Sequence, residues 1–299
     1  MTMTRTGFTP LLAEGLREVY FDALRLNTLV YPEIFDIQKS TKRSETDHSV
    51  TGIGMLTEKQ EGEATEYEDF VDGFDTVYTH KTFSRGIRIT QELIEDDQYG
   101  VMKNRTKALA NATRYRMEYD HFSLFVNAAG TTVFTGGDGE ALASTAHPLI
   151  GVNGTTIGNY VSSNLTLGAL ETAFAHFRNM KNDQNLFVYT EPSVLLVPPA
   201  LEFDAWEILN STGKPGTANN DDNYFKAKLK LVVSPFLTDT NCWAILADKV
   251  YGAPISFNRV PVSFKNDGDF DTDDAKMKAR VRYSYGASDW RWLYWSAGA

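Results

Sequence analysis

The sequence predicts an α+β fold, and three observations carry that prediction. A proline-free helical stretch runs from about Thr90 to Ala129. A polar, acidic segment between extended arms precedes it, over residues 39–90. After it, short apolar runs and helical patterns follow one another to the end of the chain. Blocks of helix and strand, without regular βαβ alternation, indicate α+β. The 299 residues correspond to a prior of about two domains.

The first segment, residues 9–38, places Leu16, Val19, Tyr20, Ala23 and Leu24 at helical spacing. That pattern predicts one short amphipathic helix, with Pro32 favouring an extended exit. Residues 39–90 begin polar and end in a β-like stretch from Thr76 to Ile89. Between lie Glu58, Glu61, Glu63, Glu66, Glu68, Asp69, Asp72 and Asp75, relieved by Lys59. This reads as a long exposed β-hairpin too hydrophilic at its middle to bury a core of its own. An isolated two-stranded ribbon is only marginally stable in water. The hairpin therefore needs a surface to lie on, and a neighbouring subunit is the expected one.

In the long helix, Ile94, Val101, Ala108, Ala112, Tyr115, Tyr119, Phe122 and Val126 form the expected buried seam. Glu92, Glu95, Asp96 and Asp97 are expected to complement the dipole at its start. Gly100 weakens the first turn, which is expected to be separate. The rest spans about 40 Å at 1.5 Å per residue. Gly130 and the glycines at 136, 137 and 139 end it. A second helix is expected from Thr166 to Met180, with Leu167, Leu170, Phe174, Phe177 and Met180 on one face. Strands are expected at Leu186–Tyr189 and Ser193–Val197, then a short helix at Ala200–Leu209. Residues 211–223 form a polar loop. Further strands are expected at Lys228–Val233, Cys242–Leu246, Ile255–Val262, Ala279–Tyr285 and Asp289–Trp295.

Hydrophobic residues make up 42% of the chain, enough for a sizeable core and against disorder. Lys plus Arg number 29 and Asp plus Glu 39, for a net charge of −10. So acidic a chain is a poor general ligand for nucleic-acid phosphates, although it can sit beside DNA without adhering. The single cysteine, Cys242, excludes an intramolecular disulfide and reads as a small buried hydrophobe. The N-terminus has no apolar signal region, and no stretch approaches the ~18 apolar residues of a membrane span. The expectation is a soluble protein, intracellular at synthesis.

Chemical motifs are scarce. There is no phosphate-binding glycine loop ending in Lys-Ser/Thr, no Cys-x-x-Cys and no His-Glu-x-x-His. Gly52-Ile53-Gly54 lacks the third glycine of a dinucleotide fingerprint, having Thr57 there. His48, His80, His121, His147 and His176 share no ligand-like spacing. The acidic turn from Asp267 resembles a calcium loop at first. However, Thr272 replaces its glycine and Lys278 its glutamate. No Gly-x-Ser-x-Gly elbow exists. The aromatic stretch Trp290–Trp295 reads as a strand covered on both faces rather than a stacking platform. No catalytic residue, cofactor or metal is expected.

Several segments resemble a known family in order and spacing. They are Ile87–Asp97, Ser144–Pro148, Ser193–Glu202, Ala205–Leu209, Leu231–Pro235 and Tyr285–Trp295. Together they resemble the major capsid proteins of tailed bacteriophages, of the Mu-like head subunit type, over essentially the whole chain. The resemblance implies a Hong Kong 97-type fold. Its parts would be an N-terminal arm (1–38), an E-loop hairpin (39–90), a peripheral domain with a spine helix (91–184), an axial domain (185–255) and return strands (256–299). It implies a structural, non-enzymatic protein assembling as hexamers and pentamers into an icosahedral head around double-stranded DNA. The E-loop would lie across a neighbouring subunit, making Glu58, Lys59, Glu61, Glu63, Glu66, Glu68 and Asp69 inter-subunit candidates. Implied partners are a portal, a decoration protein and DNA without sequence-specific contact. Only a handful of residues precede Pro10, so a separate scaffolding protein is expected too. The implied location is the virion, after assembly in the host cytoplasm. Some relatives crosslink a Lys to an Asn, but no Asn here is marked as a partner for Lys59. Two alternatives remain: an encapsulin-like nanocompartment shell of the same fold, and a soluble hydrolase with an unrecognised carboxylate site.

Overall fold

A computed structural model describes residues 5–26, 28–67, 69, 71–90, 92, 99–150, 154–215, 221–268 and 274–299. The chain opens with helices α1 (Arg5–Leu26) and α2 (Tyr31–Ile34). Strands β1 (Asp36–Lys39), β2 (Ser44–Val50), β3 (Asp72–Thr79) and β4 (Lys81–Ile89) lead to the long helix α3 (Tyr99–Val126). Short strands β5 (His147–Pro148), β6 (Thr156–Ile157) and β7 (Tyr160–Val161) precede α4 (Leu167–Arg178). Then come β8 (Pro192–Val197), a 3-10 turn (Pro199–Leu201) and α5 (Glu202–Asn210). The chain closes with β9 (Lys230–Val233), β10 (Trp243–Ala247), β11 (Ile255–Gly268), β12 (Ala275–Gly286) and β13 (Leu293–Ser296).

Two sheets organise these elements. A four-stranded sheet has the order β1-β11-β12-β4, with β1 parallel to β11 and the other pairs antiparallel. A five-stranded sheet has the order β7-β13-β10-β8-β9. Its central strand β10 is buried along its whole length, as expected for a strand covered on both faces. Phe177, Leu170 and Ala173 of α4 join that core, and Thr166 caps the helix by accepting the Ala169 N–H at 3.1 Å. Cys242 lies there too, buried, its thiol pushed up to about 12 chiefly by burial. A second core joins α1, the first half of α3 and the four-stranded sheet, through Leu16, Tyr20, Met102, Leu109 and Phe264. Tyr20 stacks on Phe264 at 4.9 Å and donates a hydrogen bond to Thr113 at 2.9 Å. The expected seam of α1 is therefore its buried face, on a helix of 22 residues rather than a short one.

The expected hairpin is narrower than residues 39–90. Only β2 and β3 pair as its arms. Strand β4 leaves it and pairs with β12, from Ile89 opposite Ala275 to Lys81 opposite Tyr283. β4 forms the edge of that sheet, and exposed Lys81, Arg85 and Arg88 guard it against unwanted pairing.

The seam expected for α3 is also corrected. Tyr115 is 62% exposed and Tyr119 50%, and Ala108 and Val126 are exposed as well. The buried face instead carries Met102, Thr106, Leu109, Ala110, Met117, Asp120, His121, Leu124 and Phe125. Phe122 is fully buried, as expected. Polar residues in the buried face hid its period. Several of them find partners: Asp120 pairs with Arg116 at 2.8 Å and accepts the Tyr283 hydroxyl at 2.7 Å. Glu118 accepts the Val30 backbone N–H, which fixes the chain just ahead of α2. α3 starts at Tyr99 with no acid in its first turn and contains Gly100. Ile94, Glu95, Asp96 and Asp97 lie outside the described residues.

Residues 186–189 form no strand; only an isolated bridge joins Lys181 to Phe187, and Phe187 and Tyr189 stay exposed. Trp290, Trp292 and all of β13 are buried, so the aromatic terminus is a covered strand region. The calcium-like turn is described only as far as Gly268. Among the described residues, no helix is long and apolar enough to cross a membrane.

Candidate functional site

The hairpin is anchored at its root and bare at its tip. At the root, the Ser40 hydroxyl donates to Glu45 at 2.6 Å, so it accepts from His80 Nε2 at 2.9 Å. His80 Nδ1 then accepts the Ser284 hydroxyl at 2.9 Å. This chain of bonds ties both arms to β12. Tyr78 packs its buried ring edge-on against Phe257 at 5.1 Å. Further out, a bulge lies between His48 and Val50. Gly73 is required there, because a Cβ on it would come within 2.7 Å of the Ser49 carbonyl oxygen. Thr51 closes the arms: its N–H donates to the Val71 carbonyl at 3.0 Å, and its hydroxyl accepts the Val71 N–H at 3.0 Å.

Beyond Thr51 the described tip has no regular ladder. Thr57 donates to Glu66 at 3.1 Å, and a turn at Gln60–Glu63 uses Gly62 with φ +88°. Glu58, Lys59, Glu61, Glu63, Glu66 and Asp69 are all exposed there, whereas Glu68 lies outside the described residues. The tip also has an apolar half, which its acidic composition conceals. Leu56 is 91% exposed, Tyr67 94% and Met55 80%. Large apolar groups left in water rarely occur together without a covering partner. The available signal was their presence inside an otherwise acidic loop.

A second open surface lies between α3 and the sheet edge. It is a groove of about 840 Å³ lined by Phe83, Arg85, Tyr115, Arg116, Tyr119 and Arg280, among others. The Arg116 guanidinium sits 4.4 Å from the Phe83 ring, and Tyr115 and Tyr119 stack at 6.3 Å. These are the helix residues that the expected seam had placed inside.

His147 is buried, with Nδ1 2.7 Å from Asp138 and Nε2 3.2 Å from Asn159, and its ring stacks on Trp290 at 4.2 Å. The nearby Ser144 hydroxyl donates instead to Glu140 at 3.0 Å, so no nucleophile faces the imidazole. Burial, the largest single effect, pushes Asp138 up, but the bonds it makes to His147 and the Glu140 N–H, with smaller contributions, together outweigh it and hold the carboxyl below its usual range. The cluster clamps the loop after α3 to the Trp290 region. No group of three or more metal-ligating side chains occurs among the described residues.

His121 is a second structural histidine. It donates from Nδ1 to the Met117 carbonyl at 2.6 Å and accepts the Ser256 hydroxyl at Nε2, 2.8 Å away. Tyr31 stacks on it at 3.9 Å. Burial pulls its pKa down to about 4, against the Met117 bond that raises it. The unfolded chain, titrating at about 6.5, therefore takes up the proton first. Stability is expected to fall as pH drops from about 6.5 to about 4, by roughly 1 kcal/mol per pH unit from this residue. Glu118 and Asp120, raised chiefly by burial, act in the opposite sense, so the test is a difference. On acidification across that window, His121→Gln should lose less melting temperature than the intact chain does. Parallel profiles would contradict the assignment.

A family model described as phage capsid protein matches residues 73–296. The chain belongs to this phage capsid protein family. The match starts inside β3, so α1 and the hairpin tip precede it. Solved structures extend the likeness. The capsid of cyanophage P-SCSP1u shares 12% identity over 91% of this chain and 88% of its own, with a TM-score of 0.59. The bacteriophage JBD30 capsid shares 16% over 70% and 90%, with a TM-score of 0.58. A virus-like particle from Pyrococcus furiosus shares 11% over 95% and 98%, with a TM-score of 0.55. No curated protein matches the chain in sequence. The capsid protein thus has the Hong Kong 97-type α+β fold that its motifs implied. It is a structural protein that associates with itself into a shell and resides in the virion capsid.

Proposed function

We propose that this major capsid protein assembles as hexamers and pentamers into the icosahedral head of a tailed phage, of the Mu-like type, around double-stranded DNA. The carrying observation is the hairpin tip, which exposes Met55, Leu56 and Tyr67 beside Glu58, Lys59, Glu61, Glu63, Glu66 and Asp69. In this reading the tip lies across a neighbouring copy, and Glu68, outside the described residues, belongs to the same contact. Contacts between copies are heterologous and close into rings. Each can be modest, because every subunit makes several.

The domain reading follows the same lines. Residues 1–38 are the arm, and 39–90 the E-loop together with its root strand β4. Residues 91–184 are the peripheral domain with α3 as spine, 185–255 the axial domain and 256–299 the return strands. Assembly takes place in the host cytoplasm with a separate scaffolding protein and a portal. A decorating partner is supported by JBD30, whose capsid is described as decorated with minor capsid protein trimers and also occurs as a procapsid. Net acidity keeps DNA contacts weak and independent of sequence.

The Pyrococcus furiosus particle, alike over 95% of this chain, favours a second reading as a nanocompartment shell holding a protein cargo. Particles recovered from lysing host cells separate the two. The expected result is nuclease-resistant double-stranded DNA inside them. Particles that hold only a co-purifying protein, with no protected DNA, would overturn the phage reading.

A further inference from the structure

Charge is unevenly placed on this acidic chain. Although the whole carries −10, α3 holds the bases Lys103, Arg105, Lys107, Arg114 and Arg116, and its only acids, Glu118 and Asp120, are buried. The exposed side of the helix therefore shows positive charge alone. Strand β4 repeats this, with Lys81, Arg85 and Arg88 exposed and no acid. Lys81 lies opposite Tyr283, which bonds Asp120 of α3, and Arg85 lies opposite buried Ala279. Opposed residues share a face, so Lys81 and Arg85 stand on the side that α3 occupies. Arg116 is held by Asp120, but Lys81, Arg85, Arg105 and Lys107 make no ion pair among the described residues. Beside them Asn104, Tyr115 and Tyr119 are exposed donors. Bases, amides and tyrosine hydroxyls are the side chains that contact DNA phosphates. From Arg105 to Tyr119 the stripe runs about 21 Å at ~1.5 Å per residue. Over that length a duplex presents roughly a dozen phosphates, at one charge per ~1.7 Å.

The neighbouring surfaces are mixed. Helix α1 sets Glu14, Glu18 and Asp22 beside Arg17 and Arg25. The far face of the four-stranded sheet is basic, since Lys276 and Lys278 alternate with buried Met277 and Ala279, and Lys265 lies opposite Lys278. Acids interrupt it, however: Asp267 lies opposite Lys276, and Asp274 pairs with Arg88. An uninterrupted field of cations suits a uniform polyanion, whereas an interleaved one does not.

We propose that the exposed stripe of α3, with Lys81 and Arg85 of β4, meets the phosphate backbone of duplex DNA. Arg105 and Lys107 make the principal contacts, and Lys81 and Arg85 extend them. No base edge is read, so the contact is independent of sequence. The acidic remainder of the chain confines it to this stripe. The inference rests on the reading of the shell as a container for double-stranded DNA and adds the residues that touch it.

Formaldehyde treatment of DNA-filled heads, followed by nuclease digestion and mass spectrometry, reads the contact directly. Nucleotide adducts are expected on Lys107 and Lys81 and not on Lys265 or Lys278. Adducts confined to Lys265 and Lys278, or absent from all four, would overturn the proposal. Heads that form without any duplex inside would instead remove the reading beneath it. A second measurement uses the full chain and two short fluorescent duplexes of unrelated sequence over a salt series. Each phosphate contact contributes about 0.9 to the slope of log affinity against log salt. Arg105→Gln with Lys107→Gln should therefore lower that slope by roughly 2, equally for both duplexes. Lys265→Gln with Lys278→Gln should leave it unchanged. All four side chains are exposed, so folding is not at stake. An unchanged slope in the first variant, or an equal fall in the second, would contradict the assignment. So would an intact chain that binds neither duplex at low salt, which would leave the stripe to an acidic protein.

Discussion

Deleting residues Glu58 to Asp69 is expected to leave a folded subunit that forms no stable shells. The described tip contributes no buried residue to either core, and near its base the Gln184 amide donates to the Gly52 carbonyl at 3.2 Å. Ser40, His80, Ser284 and Tyr78 hold the root independently of the tip. Melting temperature should therefore stay within a few degrees of the intact chain. Assembly should not survive. Losing an inter-subunit contact worth about 3 kcal/mol weakens each pairing roughly a hundredfold. Every subunit in a ring loses it, and the losses multiply through the shell. Electron microscopy and a melting scan on the same preparation measure both halves. Normal shells would remove the tip from the interface.

Phe122→Asp should act the other way, abolishing the fold before assembly is at issue. Phe122 is fully buried, lies parallel to Phe236 at a ring distance of 6.2 Å and meets Phe125 at 6.2 Å. The substitution removes a core ring, which alone costs about 3–5 kcal/mol. It also leaves a carboxylate among apolar groups with nothing to pair it, so the total exceeds roughly 4 kcal/mol. Set against the ~5–15 kcal/mol that holds a typical domain together, most of the native population is lost. The expected readout is no cooperative melting transition, or one lowered by more than about 10 °C. A transition unchanged from the intact chain would contradict the packing described for α3.

The two outcomes reflect which parts of the sequence could be read locally. The acidic run around Glu58–Asp69 showed directly that this segment could not bury a core, and the tip is bare in the structure. The strand pattern of Thr76–Ile89 did not show where the hairpin ends. β4 is claimed by β12, nearly two hundred residues later, and nothing near Lys81 encodes that partner. α1 was legible because its buried positions are apolar. α3 was not, because Thr106, Glu118, Asp120 and His121 occupy its buried face while Tyr115 and Tyr119 face out. Hydrophobic periodicity assumes that polarity reports exposure. It fails where buried polar groups find partners and large rings stay exposed. The residues that misled the helix reading are thus the residues that line the groove. The apolar tip residues Met55, Leu56 and Tyr67 were overlooked for the matching reason, since the surrounding acids dominate the composition. Fold class was robust to these errors because it depended on the order of blocks, not on which face of a helix was inside.

Negative-stain electron microscopy of the expressed chain, with light scattering on the same sample, tests the central claim most directly. The account predicts closed shells, tubes or rings of five and six subunits, alone or when a scaffolding protein is co-expressed. Uniform small oligomers that persist with scaffold present would contradict it.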